Sequence, residues 1–125
     1  MREFEVTIKE TSRELTGRER IMVKDTLNAI GIDEATQGGA VEIAPEFYAV
    51  LAVHNEYAKG DKDYDQLVIV TGEGEKYYTG SQSFIEAFLS IASEMEGEPE
   101  AWKVSAYRVP SKNYSGKEFL SCSII

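Results

Sequence analysis

From Phe47 onward the hydrophobic pattern reads strand, strand, strand, helix, strand, strand, and no other feature of this chain constrains its fold as tightly. Phe47 to Val53 is a continuous apolar run, the pattern of a buried strand. Leu67-Val68-Ile69-Val70 is a second strand, rich in β-branched residues. Gly72-Glu73-Gly74 is a hairpin turn into a third, Lys76-Tyr77-Tyr78-Thr79. Ser83 and Glu86 have the spacing of a capping box. Behind them Phe84, Phe88, Ile91 and Met95 stripe one face of a helix that ends near Gly97-Glu98-Pro99. Ala101–Arg108 alternates, with Trp102, Val104 and Ala106 opposite Lys103, Ser105 and Tyr107. In the last strand Leu120, Cys122 and Ile124 share a face.

The first 46 residues are less regular. Phe4 to Lys9 alternates with period two, a strand. Thr16 and Glu19 match a capping box. The stretch Arg20–Ile30 stays open: Met22, Leu27 and Ile30 could stripe a helix, while Ile21-Met22-Val23 also reads as a short strand. Gln37-Gly38-Gly39 is a turn, and Pro45 separates Val41-Glu42-Ile43 from the run at Phe47. No repeat or linker divides the chain, so residues 1–125 are expected to form one domain, 1–40 as an N-terminal extension with the first strands and 41–125 as the core. The predicted fold is mainly β with one central helix, an OB-like five-stranded barrel, which carries its helix between the third and fourth strands.

Enzymatic chemistry finds little support. One cysteine, Cys122, excludes an internal disulfide framework and a CxxC zinc site. His54 is the only histidine, so no His-pair metal motif exists, and it reads as a structural residue. Thr71-Gly72-Glu73-Gly74-Glu75 is glycine-rich but lacks the Gly-Lys-Ser/Thr of a phosphate loop. Asp61, Asp63 and Asp65 hint at a calcium loop, yet the positions needing Gly and Glu hold Gln66 and Gly72. Glu94, Glu96, Glu98 and Glu100 read as a solvated helix end, and Asn113-Tyr114-Ser115 as a sequon without a use in the cytoplasm. No metal, cofactor or catalytic residue is predicted. No apolar run approaches the roughly 20 residues of a membrane span, and the first residues lack a signal-peptide pattern. A cytoplasmic protein is the expectation.

The net charge of −9 argues against passive attraction to nucleic acid, but it is unevenly spread. Residues 25–58 carry six acids and no Lys or Arg, and residues 84–100 carry five acids and no base. Residues 101–125 carry Lys103, Arg108, Lys112 and Lys117 against Glu118 alone. Two loops then interleave cations with flat side chains. The loop between the first two core strands carries Tyr57, Lys59, Lys62 and Tyr64; the loop between the last two carries Lys112, Tyr114 and Lys117, flanked by Arg108. Lys103 and Tyr107 extend the pattern along the preceding strand. In OB-folds such loops, with the sheet face between strands two and three, grip oligonucleotides. Cations track phosphates while tyrosines stack bases at roughly 1–3 kcal/mol each.

Residues 66–125 resemble the small single-stranded-DNA-binding proteins of tailed bacteriophages that infect Gram-positive bacteria. The resemblance is carried by Gly72-Glu73-Gly74, Lys76-Tyr77-Tyr78-Thr79, the serine-led helix, Trp102-Lys103-Val104, and Ser111–Lys117 running into Phe119-Leu120. Upstream, Asn28-Ala29-Ile30, Gly39 and Val41-Glu42-Ile43 are similar more weakly. It implies an OB-fold without catalysis that coats single-stranded DNA during phage or mobile-element replication and recombination, with replication or recombination proteins as further partners. Carried over by position, Lys103, Tyr107, Arg108, Lys112, Tyr114 and Lys117 would contact DNA, with Tyr77 or Tyr78 on the sheet face. The first 20 or so residues exceed a minimal barrel, and the chain ends in Ser123-Ile124-Ile125 instead of an acidic tail. The acidic stretches leave one alternative, a protein-interaction module or DNA mimic that blocks a host enzyme.

Overall fold

The computed structural model describes residues 4–111 and 117–125. The chain forms two sheets with three helices among these residues. Strand β1 (Phe4–Thr11) is followed by helix α1 (Gly17–Lys24), a two-residue strand β2 (Ile30–Gly31) and a single helical turn α2 (Ile32–Ala35). Then come β3 (Val41–Ile43), β4 (Pro45–Asn55), β5 (Asp63–Thr71), β6 (Lys76–Thr79), α3 (Gln82–Met95), β7 (Val104–Pro110) and β8 (Glu118–Ile124). One sheet has the order β1-β4-β5-β6-β2, the other β3-β7-β8. Only Ala44 separates β3 from β4, so a single run pairs first with β7 and then, past the bend at Pro45, with β5. That run joins the two sheets.

The continuous apolar stretch at Phe47 is explained by burial on both faces. Val50, Leu67, Ile69 and Tyr77 face the main core with Phe84, Ile85 and Phe88 of α3 and Ile43, Val104, Ala106, Leu120 and Cys122 of the smaller sheet. Phe47, Ala49, Leu51, Val53, Val68 and Val70 face the opposite way. A half-buried strand would alternate; one covered on both sides need not. The second cover is the N-terminal segment, which lays Leu15 and Val23 over this face. Residues 4–40 are therefore no appendage: they supply both edge strands of the larger sheet and the lid on its second face. Each fully buried aliphatic side chain there contributes about 1.5–3 kcal/mol.

The ambiguous stretch resolves as helix, turn and short strand. Thr16 caps α1 as predicted: its hydroxyl accepts from the Glu19 N–H at 3.2 Å, and Glu19 Oε1 accepts from the Thr16 N–H at 2.9 Å. Arg13 adds two 2.9 Å bonds to the same carboxylate and lays its guanidinium 4.8 Å from the Phe47 ring centre. The helix buries only Val23, leaving Ile21 and Met22 outward and Leu27 beyond its end in solvent.

Four expectations need correction. The predicted barrel does not close among the described residues. The free edge of β6 that a closing strand would need is taken by β2, paired parallel as Ile30↔Tyr77 and Gly31↔Tyr78. The helix cap is Ser81, whose hydroxyl accepts from the Phe84 N–H; the Ser83 hydroxyl instead donates to the Leu120 carbonyl at 2.7 Å, tying α3 to β8. The buried face of α3 is Phe84, Ile85, Phe88 and Ala92, with Ile91 and Met95 at its margin. Finally, Ile124 shares a strand face with buried Leu120 and Cys122 but sits at the strand end, 47% exposed.

Candidate nucleic-acid interface

The two predicted loops each close an antiparallel hairpin. The first spans residues 56–62, between β4 and β5; the second joins β7 to β8, where the Ser111 N–H donates to the Lys117 carbonyl at 2.9 Å. A chain of contacts links the strands that carry them. Arg108, beside the second loop, donates from Nε to Thr36 Oγ1 at 3.3 Å and from Nη2 to the Asp33 carbonyl. Asp33 Oδ1 accepts from the Thr79 hydroxyl at 3.1 Å. At Gly80 a Cβ would lie 3.8 Å from the Asp65 carbonyl oxygen, at the start of β5 beside the first loop. The short α2 turn thus bridges β7 and β6.

The first loop is fastened by His54, a role its isolation in the sequence did not reveal. Its Nδ1 lies 2.7 Å from Asp63 Oδ1 and its Nε2 2.8 Å from Glu56 Oε1. Protonated, the ring donates to both carboxylates, and the Asp63 hydrogen bond, then that of Glu56, raises its pKa above 6.5. Glu56 also accepts from Lys62 at 3.0 Å, and that bond together with His54 lowers its pKa below 4.5. Between those values both partners are charged and the loop base is held most firmly.

The predicted contact residues divide into groups. Tyr57 is 73% exposed in the first loop, Lys59 is exposed beside it, and Tyr64 is 39% exposed at the start of β5. Lys62 belongs to the same group, though it is bonded to Glu56. Exposed pairs of this kind are worth about 0–1 kcal/mol, so a phosphate can replace the carboxylate at small cost. Arg108 is different: half-buried and bonded to α2, it braces the loop base. Lys117 is exposed at the end of the second loop, whereas Lys112 and Tyr114 lie outside the described residues.

Four assignments shift. Tyr77 is 7% exposed within the main core and presents no stacking surface. Tyr78 points to the other face, half-buried against the cluster of Leu15 and Val23, so the sheet face between β5 and β6 is covered by the N-terminal segment. Lys103 precedes β7 at the end away from the loop, roughly 20 Å along the strand, and pairs with Glu42 at 2.8 Å. Tyr107 is half-buried, its hydroxyl bonded to Ser123. The first loop is also more acidic than its lysines suggest, since Glu56, Asp61, Asp63 and Asp65 stand against Lys59 and Lys62.

Among the described residues no group of His, Cys, Asp and Glu is arranged to hold a metal ion, and no helix is long and apolar enough to cross a membrane. Burial raises the Cys122 thiol to about 11, far from a reactive thiolate. Comparison with protein-family models, curated proteins and solved structures finds no match to this chain.

Proposed function

We propose that this protein binds single-stranded DNA through the paired loops at residues 56–64 and 111–117, without catalysis, as an OB-like module in phage or mobile-element replication and recombination. The observation that supports the reading is the contact chain from Arg108 of β7 through Asp33 and Thr79 to Asp65 of β5, which links the strands that lead into the two loops. The bent β3–β4 run, the three-stranded meander, α3 and the final hairpin follow the strand–helix order of an OB-fold; β2 at the β6 edge replaces closure. Bases would stack on Tyr57, Tyr64 and Tyr114 while Lys59, Lys62, Lys112 and Lys117 neutralise phosphates. The covered sheet face limits the footprint to the loops, so affinity should be modest and salt-sensitive. Such a protein acts in the cytoplasm of the host cell.

Fluorescence anisotropy of a labelled oligo-dT of about 30 nucleotides, with a matched duplex as control and two salt concentrations, tests this. Micromolar binding to the single strand, weaker binding to the duplex and loss with salt are expected. No binding at low salt overturns it. One observation favours the acidic-interaction reading instead: Lys9, Lys62, Lys103 and Arg13 are all paired with the protein's own carboxylates. Under that reading the same titration is flat.

A further inference from the structure

At the other end of α3 lies a groove that strand binding does not use. It encloses about 380 Å³ between the end of β1 and the last turn of the helix, walled by Tyr48, Leu89, Met95 and Trp102, with Glu10 and Glu96 beside them. Its aromatic wall is rigid. Fully buried Phe88 meets Tyr48 edge-on at 5.2 Å and lies 5.8 Å from Trp102, backing both half-buried rings. Tyr48 is further held by two 3.0 Å bonds with Ser12, whose N–H donates to the Tyr48 carbonyl and whose hydroxyl accepts from the Tyr48 N–H.

The charges here are uncompensated. Among the described residues neither the Glu10 nor the Glu96 carboxylate makes an ion pair or hydrogen bond, unlike those of Glu19, Glu42, Glu56 and Asp65. Residues 84–100 contain no Lys or Arg, and the flanking Lys9 and Lys103 are paired with Asp65 and Glu42. Two flat rings beside two unpaired carboxylates match a planar, weakly hydrated cation that can stack and accept an acid at its edge. Nucleic acid is disfavoured, since its phosphates would meet carboxylates of like sign.

We propose that this groove docks an arginine side chain from a basic segment of a partner protein, its guanidinium stacked against Tyr48 or Trp102 and paired with Glu10 and Glu96. The site is separate from the strand-binding loops, so each can fail without the other.

Trp102 is the single tryptophan of the chain and lies in the groove, so its fluorescence reports occupancy directly. The probe is a blocked hexapeptide with two arginines among Gly and Ser, compared with its citrulline twin, which keeps the shape and removes the charge. The full chain should give a saturable Trp102 response with the arginine peptide and bind the citrulline peptide about tenfold more weakly or worse. The Glu10→Gln/Glu96→Gln pair should lose about tenfold in affinity, and Glu94→Gln, two residues before Glu96 and outside the groove, less than about twofold. No saturable response up to about 5 mM, equal binding of the citrulline peptide, or unchanged affinity in the double variant would each overturn the site. Equal losses from Glu94→Gln and from the double variant would also overturn it, by showing a diffuse negative field instead of a docking site.

Discussion

The two ends of α3 handle charge in opposite ways. Near its N-terminal end, at Ser81, Arg108 of β7 bonds Thr36 and the Asp33 carbonyl, and in the first loop Lys62 pairs with Glu56, so these cations have partners. At its C-terminal end, roughly 20 Å along the helix axis, Glu10 and Glu96 stand unpaired beside Tyr48 and Trp102. Net charge alone would assign the whole molecule one kind of partner. The distribution of paired and unpaired groups is the basis for proposing two. Exposed pairs are cheap to exchange, so the pairing of Lys62 with Glu56 leaves it able to meet a phosphate.

The largest effect should come from the ring that backs the groove. Phe88→Ala removes a fully buried side chain and should cost about 3–5 kcal/mol in urea unfolding. In native conditions it should also loosen the arginine site while leaving oligo-dT binding intact, which separates the two ends. Next come the loop tyrosines. Tyr57→Ala or Tyr114→Ala should weaken oligo-dT binding by about 1–3 kcal/mol, read by anisotropy, with no change in peptide response. If both leave the affinity unaltered, the loops are not the stacking surface. Replacing one lysine is smaller: Lys59→Ala or Lys112→Ala should lower the salt slope of binding by about 0.7.

The weakest effects are those of pH. Because the His54 pKa is raised above 6.5, its stabilisation of the loop base is fully present below that value and lost as pH rises through the shifted one. Thermal melts of the natural protein and His54→Gln should therefore differ at pH 5.5 and converge at high pH. Glu19 runs the other way. Arg13, then the Thr16 N–H, lower it to about 2, so its contribution is complete above pH 4.5 and disappears as pH falls toward 2. Glu19→Gln should lower the melting temperature at pH 6 and leave it unchanged near pH 2.

Much of the fold was legible because local signals and burial agreed. The Thr16–Glu19 box, the strands at Phe47, Leu67 and Lys76, and the helix around Phe88 all stand where pattern placed them. The failure of the sheets to close into a barrel was not legible, because the competing strand is Ile30–Gly31, two residues without a pattern of their own. Tyr77 and Tyr78 show the same limit at the candidate site. Adjacent strand residues face opposite sides, and sequence cannot say that both sides are covered. Ser83 was read as a cap because of Glu86, yet its hydroxyl is used by Leu120, a partner 37 residues away. The groove escaped notice for a similar reason: Glu10, Tyr48, Glu96 and Trp102 are brought together only by tertiary packing.

The opposed character of the two ends can be tested on one sample, by following backbone amide shifts in a nitrogen-15-labelled protein titrated separately with oligo-dT and with the arginine peptide. Oligo-dT should move residues 56–64 and 108–118, and the peptide should move residues 10–12, 48 and 95–102. Shifts from both ligands at the same end, or oligo-dT shifts absent from both loops, would contradict the assignment.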